Sequence, residues 1–396
     1  MSELKVKFLM GPIDCNDPYI PEYSKNFIDE LSKTSGIDIF YGEMDEVANQ
    51  ALPVYFIASG GAENGFKENY QKTKEPYILL TTPGYNSLAA AMEIMGFLQE
   101  NNLRGEILHG DMKTMSERLN LLMRVEEAKK KLSKSKIGCF GLPGGLIASD
   151  ADFERLKEKY GLTLEMHELD ELIEEYKKGG YEENGYTKAL KAKAFNKVAV
   201  EEALNVYGAL KRLVVKYDLQ AVTVRCFDLL MAVKTTGCLA LALLNIEGIP
   251  ATCEGDQKTA VSMLVSYLLT GKTSFMANPS CMDPATNEII FAHCTIPFDM
   301  LDTYYLTTHF ESGIGVSITG DIAPQKVTIF KCNGDLTKYY ATVAELKETM
   351  HRKDLCRTQM RLHLPEGTDY FATKPISNHH IIVKGDYKAY FDEFFK

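Results

Sequence analysis

Short apolar runs alternate with helix-patterned segments from the start of the chain to about Pro284, and this alternation limits the fold more than any other feature. Lys5–Met10, Ile37–Tyr41, Pro53–Ala58 and Tyr77–Thr81 read as strands, with helices at Tyr23–Thr34 and Ser87–Glu100. Such a rhythm builds a mainly parallel sheet covered by helices on both faces. The runs end in turns at Gly11-Pro12, Ser59–Gly65 and Thr82–Asn86, where open α/β sheets hold ligands. None matches a Rossmann or Walker phosphate pattern, and each alone is compatible with a plain strand-to-helix turn.

A second α/β unit follows the long amphipathic segment Thr114–Ser133. Its strands are Lys136–Phe140, Thr163–His167 and Ala221–Arg225, and its longest helix is Val198–Tyr217. Leu204, Tyr207, Leu210 and Leu213 recur there at helical spacing, which marks a core stripe. Gly179–Tyr186 reads as a flexible polar loop. After Pro284 the pattern changes to short alternating runs, such as Ile289–Ala292, Lys326–Lys331, Thr358–Leu364 and Ile381–Lys384, separated by turn residues. That is the signature of a β-rich barrel or sandwich. The expectation is α/β: two Rossmann-like parallel-sheet domains, 1–133 and 134–284, then a β-rich, barrel-like domain, 285–396.

The chain carries 44 Lys and Arg against 54 Asp and Glu, a formal charge of −10. An acidic surface argues against nucleic acid or an anionic membrane as the main partner. No apolar run is long enough to span a bilayer, and the charged start is unlike a secretory signal. The nine cysteines are scattered without a Cys-x-x-Cys pair, which suits reduced thiols in a cytoplasmic protein.

Chemistry concentrates at Cys253-Glu254-Gly255-Asp256, where an apolar run gives way to a helix. Backbone at such a junction approaches a ligand closely, so Glu254 and Asp256 are the candidate catalytic carboxylates; the plain alternative is an acidic helix cap. Three later pieces could converge on them: Asn278 in FMANP, His293 in AHCTIP, and His379-His380 in SNHHI. Carboxylates, an amide and imidazoles make a mixed oxygen/nitrogen set suited to Mn²⁺ or another divalent cation with open positions.

The stretches CEGD (253–256), LLTG then FMANP (268–279), AHCTIP (292–297), THFESG (308–313), CRTQ (356–359) and SNHHIIVKGD (377–386) resemble the L-fucose isomerase and L-arabinose isomerase superfamily, especially its shorter members. The resemblance implies two α/β domains followed by a barrel-like domain, a homo-oligomer, a small sugar as substrate, and aldose–ketose isomerisation through an enediol. It places Glu254 where the family has a carboxylate that binds metal and moves a proton. His379 matches the family's late metal histidine, with His380 the other candidate. Asn278 stands where fucose isomerase has a metal aspartate, which gives Glu254, Asn278 and His379 as the metal set. His293 falls where arabinose isomerases have a further histidine ligand and is grouped here with His309, Glu311, Arg357 and His380 as substrate-facing. For Glu311 and Arg357 a mutual ion pair is the structural alternative. Ser59–Glu63 and Tyr85-Asn86 are candidate pocket-lining segments. Because an amide carries no charge and cannot act as a base, two rival functions stand beside the isomerase: a non-catalytic carbohydrate-binding or regulatory protein, and a metal-dependent enzyme of another reaction type on a modified sugar.

Overall fold

Five of the apolar runs pair in parallel: β1 (Ser2–Leu9), β2 (Ile37–Tyr41), β3 (Val54–Ile57), β4 (Tyr77–Thr81) and β5 (Gly105–Leu108), in the order β2-β1-β3-β4-β5. The computed structural model in which they are seen describes residues 2–12 and 17–396. Contacts divide the chain into two compact units, 1–127 and 128–396. In the first, β3 and β4 are buried along their whole length because helices cover both faces. One face packs Val54, Phe56, Ile78 and Leu80 against Ile20, Phe27 and Leu31; the other packs Tyr55, Ile57 and Leu79 against Ile94 and Leu98.

The second unit begins with β6 (Lys136–Phe140), β7 (Thr163–His167), β8 (Ala221–Val224) and the two-residue β9 (Ala251–Thr252), parallel in the order β7-β6-β8-β9. It continues with β10 (Ser274–Asp283), β11 (Glu288–His293), β12 (Thr303–Thr307), β13 (Ser317–Asp321), β14 (Gln325–Cys332), β15 (Tyr339–Met350), β16 (Thr358–His363) and β17 (His380–Lys384). Six of these close an antiparallel barrel, β10-β11-β16-β15-β14-β17, and β12 and β13 form a separate ribbon. The mixed α/β class and the terminal barrel therefore agree with the sequence pattern.

One hydrophobic core runs from Phe140, Leu204 and Leu241 in the α/β part to Phe291, Ile329 and Ile382 in the barrel. Helix Gln257–Thr270 joins the two. It buries Ala260, Val261, Leu264 and Val265, and its Ser262 Oγ accepts a hydrogen bond from Cys332 N at 3.1 Å.

Two local readings change. Gly179–Tyr186 is not loop throughout: helix Gly185–Lys191 starts inside it, because Asn184 and Thr187 form a capping box. β15 was not legible, since Ala344–Met350 consists largely of good helix formers; pairing with β14 and β16 overrides that propensity. Among the described residues no helix is long and apolar enough to cross a membrane.

Candidate metal centre

Glu254 owes its position to a break between strand and helix. β9 ends at Thr252, the backbone turns through Cys253-Glu254-Gly255, and Asp256 caps helix Gln257–Thr270. Glu254 and Gly255 have φ of +63° and +65°. Glycine tolerates that region, whereas a non-glycine residue there costs of order 1 kcal/mol, so the turn stores strain at the residue carrying the carboxylate. A Cβ on Gly255 would lie 2.9 Å from the Leu142 carbonyl oxygen, which leaves room for glycine alone. Gly255 N donates to Val224 O at 2.9 Å, tying the turn to the end of β8.

The barrel supplies two imidazoles. His293 ends β11 and His379 immediately precedes β17. Both strands pair with β10, from opposite sides: Asn278 faces Ala292 and Ala277 faces His380. The His293 and His379 rings meet edge to face at 5.4 Å. His293 Nε2 lies 3.4 Å and His379 Nε2 3.5 Å from the same oxygen, Glu254 Oε1. One ligand atom from each of Glu254, His293 and His379 lies within 4.8 Å of the other two.

Asp256 stands one layer behind. It is fully buried. Its Oδ1 accepts from Thr259 N at 2.8 Å, and its Oδ2 accepts from Thr259 Oγ1 at 2.6 Å and from His379 Nδ1 at 2.8 Å. Every bond it makes points inward, so Asp256, named with Glu254 as a candidate catalytic carboxylate, meets the centre through His379. Sequence spacing could not separate these roles. Burial pushes the Asp256 carboxyl up, but the charge of Lys331 and the His379 bond outweigh it, and it ends well below the ordinary carboxylate range. Glu254 ends low as well: burial raises it, and His293 and His379 pull it down further.

These residues fit a divalent cation. His379 Nε2 is buried without a hydrogen-bond partner. With Nδ1–H committed to Asp256, Nε2 turns a lone pair toward a carboxylate oxygen, and two acceptors so placed repel unless a proton or a cation lies between them. Burial lowers the pKa of His379, yet Asp256 and Glu254 outweigh burial and raise it. Two imidazole nitrogens and one carboxylate oxygen form the three-ligand set of transition-ion sites that keep open positions. A carboxylate behind a ligating histidine is the usual second layer of such sites.

The other candidates lie as follows. Asn278 Oδ1 accepts from Asn378 Nδ2 at 3.1 Å. His380 is fully buried, with Nε2 3.0 Å from Tyr370 Oη and Nδ1 2.9 Å from Asn378 O. Burial takes its pKa down to about 3. Both its nitrogens are engaged away from Glu254, so His380→Gln is expected to leave cation affinity within about twofold while lowering stability by about 1–3 kcal/mol, read by calorimetry and urea melts. His309 pairs with Glu311 at 3.4 Å and contacts Ser312 Oγ at 3.0 Å. Arg357 donates through Nε to Thr308 O at 2.7 Å and lies over the Phe310 ring. Glu311 thus meets His309, and not the Arg357 of the structural alternative. The Cys356 thiol is pushed up by its hydrogen bond with Cys294 and by burial, and the charges of Glu311 and Glu254 add to it. Ser59–Glu63 and Tyr85-Asn86 belong to the first unit. Gly60, Gly61, Glu63, Tyr85 and Asn86 line a cavity of about 450 Å³ there, beyond the strand ends.

No protein-family model matches the chain. It is 31% identical over 187 residues to a sulfoquinovose isomerase of Clostridium sp. (strain MSTE9), a match spanning 45% of this chain and 41% of that protein. It is 26% identical over 192 residues to sulfoquinovose isomerases of Priestia aryabhattai and Priestia megaterium, spanning 46% of this chain and 43% of each. The chain thus spans less than half the length of the curated relatives it matches. A solved structure, D-threo-3-hydroxyaspartate dehydratase from Delftia sp. HT23, aligns over 85% of this chain and 73% of that one at 11% identity, with a TM-score of 0.15.

Proposed function

We propose that the chain is a metal-dependent aldose–ketose isomerase of the fucose/arabinose isomerase kind, with the three-domain division and the homo-oligomer that this kinship implies. The observation that carries the reading is the meeting of Glu254, His293 and His379 at one point, from three separate parts of the sequence. The relatives named sulfoquinovose isomerase make sulfoquinovose the first aldose to test.

Within this reading Glu254, His293 and His379 hold a divalent cation, Mn²⁺ being the first choice. A bound cation polarises a substrate carbonyl and offsets negative charge that develops on its oxygen. Glu254 removes the proton from the hydroxyl-bearing carbon beside that carbonyl and delivers it to the former carbonyl carbon, while the hydroxyl proton passes to the former carbonyl oxygen. Its half-buried setting limits the access of competing water. Asp256 holds His379 in the tautomer that leaves Nε2 free. His309, Glu311 and Arg357 form the polar wall toward the sugar.

The test uses the purified full chain, stripped of metal with a chelator and reloaded with Mn²⁺. Isomerisation of sulfoquinovose, or of another aldose in a panel, is expected only after reloading. Turnover that survives complete metal removal would exclude the reading. Sugar binding with neither metal dependence nor turnover would favour the carbohydrate-binding alternative, to which the uncharged Asn278 lends support.

A further inference from the structure

The strand order β7-β6-β8-β9 reverses direction once: the chain passes from β6 to β7 on one side, while β8 lies on the other. Open parallel sheets bind ligands in the crevice that such a reversal leaves between the carboxyl ends of the two strands. Two segments border it here, the glycine-rich loop that follows β6 and Arg225, which follows β8. Arg225 N donates to Phe140 O at 2.9 Å, so the residue stands at the ends of both strands. Its side chain lies along the loop. A Cβ on Gly141 would come to 2.9 Å from Arg225 Cβ, and one on Gly144 to 3.5 Å from Arg225 Nε. Gly144 N in turn donates to Glu254 O at 3.3 Å. The residues after Arg225 are fixed as well: Cys226 Sγ lies 2.9 Å from Cys253 Sγ, and the Phe227 ring meets that of His309 at 5.9 Å. The segment that carries the guanidinium therefore packs against both the Glu254 turn and His309.

The guanidinium has binding capacity to spare. Its Nε is buried without a hydrogen-bond partner; Asp228 Oδ2, 2.7 Å away, pairs with it by charge but out of line for such a bond. The two side chains are 35% and 49% exposed, and an ion pair open to water to that degree is weak enough for a better-placed anion to displace Asp228. A guanidinium presents a planar fork of N–H donors that matches two oxygens of one sulfonate or phosphate. We propose that Arg225 is the specificity-determining residue for an anionic group, a sulfonate or a phosphate, carried by the sugar and held in the crevice between the ends of β6 and β8. The inference rests on the isomerase reading for the sugar, whereas the preference for an anion is a property of the crevice itself.

The test measures affinity by calorimetry, and turnover in parallel, on the Mn²⁺-loaded full chain with sulfoquinovose, glucose 6-phosphate and uncharged 6-deoxyglucose. The parent is expected to bind one of the two anionic sugars about 10- to 100-fold tighter than 6-deoxyglucose, and the tighter of the two identifies the anion. Arg225→Met should abolish that preference while leaving 6-deoxyglucose affinity unchanged. Arg225→Lys keeps the charge without the fork, so its loss should be intermediate and confined to the anionic sugars. If Arg225→Met does not fold, Arg225→Lys decides alone. An equal loss for charged and uncharged sugars overturns the proposal, since an arginine that merely props the loop would give that result. A parent with no preference for the anionic sugars overturns it too. Arg225-dependent binding of an anionic sugar without turnover upholds the crevice, and the isomerase reading then fails by itself. Turnover without any charge preference does the reverse.

Discussion

Glu254→Gln is expected to lower turnover at saturating Mn²⁺ by about a thousandfold or more, out of proportion to its effect on stability. The size follows from two losses at one atom pair. Removing a positioned acid–base group costs about 10²–10⁴ in rate. The amide also brings no negative charge to the cation, so Mn²⁺ affinity, read by calorimetry, should fall as well. Gln keeps the length and hydrogen-bonding shape of the side chain, and the backbone at position 254 already holds its left-handed φ. Urea melts should therefore fall only by the lost attraction to His293 and His379, about 1–3 kcal/mol. Two companion variants separate the possible ligand sets. His293→Ala should weaken Mn²⁺ as Glu254→Gln does, since its Nε2 lies 3.4 Å from Glu254 Oε1. Asn278→Ala should weaken it only slightly, since Asn378 already engages that amide oxygen. The reverse order would restore the set Glu254, Asn278 and His379. Undiminished turnover in Glu254→Gln would remove Glu254 from the chemistry altogether.

Period and punctuation made the architecture legible. Fully apolar runs such as Tyr77–Thr81 can be strands only where both faces are covered, and β4 is buried from end to end. The turn at Cys253–Asp256 was legible because glycine and two carboxylates sit where an apolar run stops. The layers around it were not. Glu254 and Asp256 are two positions apart and chemically alike, yet a left-handed φ turns one toward the imidazoles while the other caps a helix. His379 and His380 are adjacent, but neighbouring residues at the start of a strand project to opposite faces, so one reaches Glu254 and the other Tyr370. His293 gave a motif position without a distance. Lys331 gave no signal, since a lysine in an alternating strand reads as solvent-facing until its contacts with Thr259 and Asp256 are seen to bury it.

Asp256→Ala is expected to cost about 3–5 kcal/mol of stability, the largest single-site loss foreseen in the second unit. The capping bond to Thr259 N accounts for only about 1 kcal/mol of that. The larger share comes from Lys331, which the change leaves fully buried with its nearest carboxylate gone. Removing one member of a buried ion pair is far more damaging than removing both, because the remaining charge keeps its desolvation penalty and loses its attraction. The double variant Asp256→Ala/Lys331→Met should therefore melt closer to the parent than the two single losses predict, with a coupling of about 1–3 kcal/mol in urea unfolding. Asp256→Asn should fall between, since an amide oxygen can still cap the helix but carries no charge against the ammonium. Losses that simply add in the double variant would mean that Lys331 and Asp256 do not stabilise each other, and the barrel would then owe nothing to a charge pair at its junction with the helix.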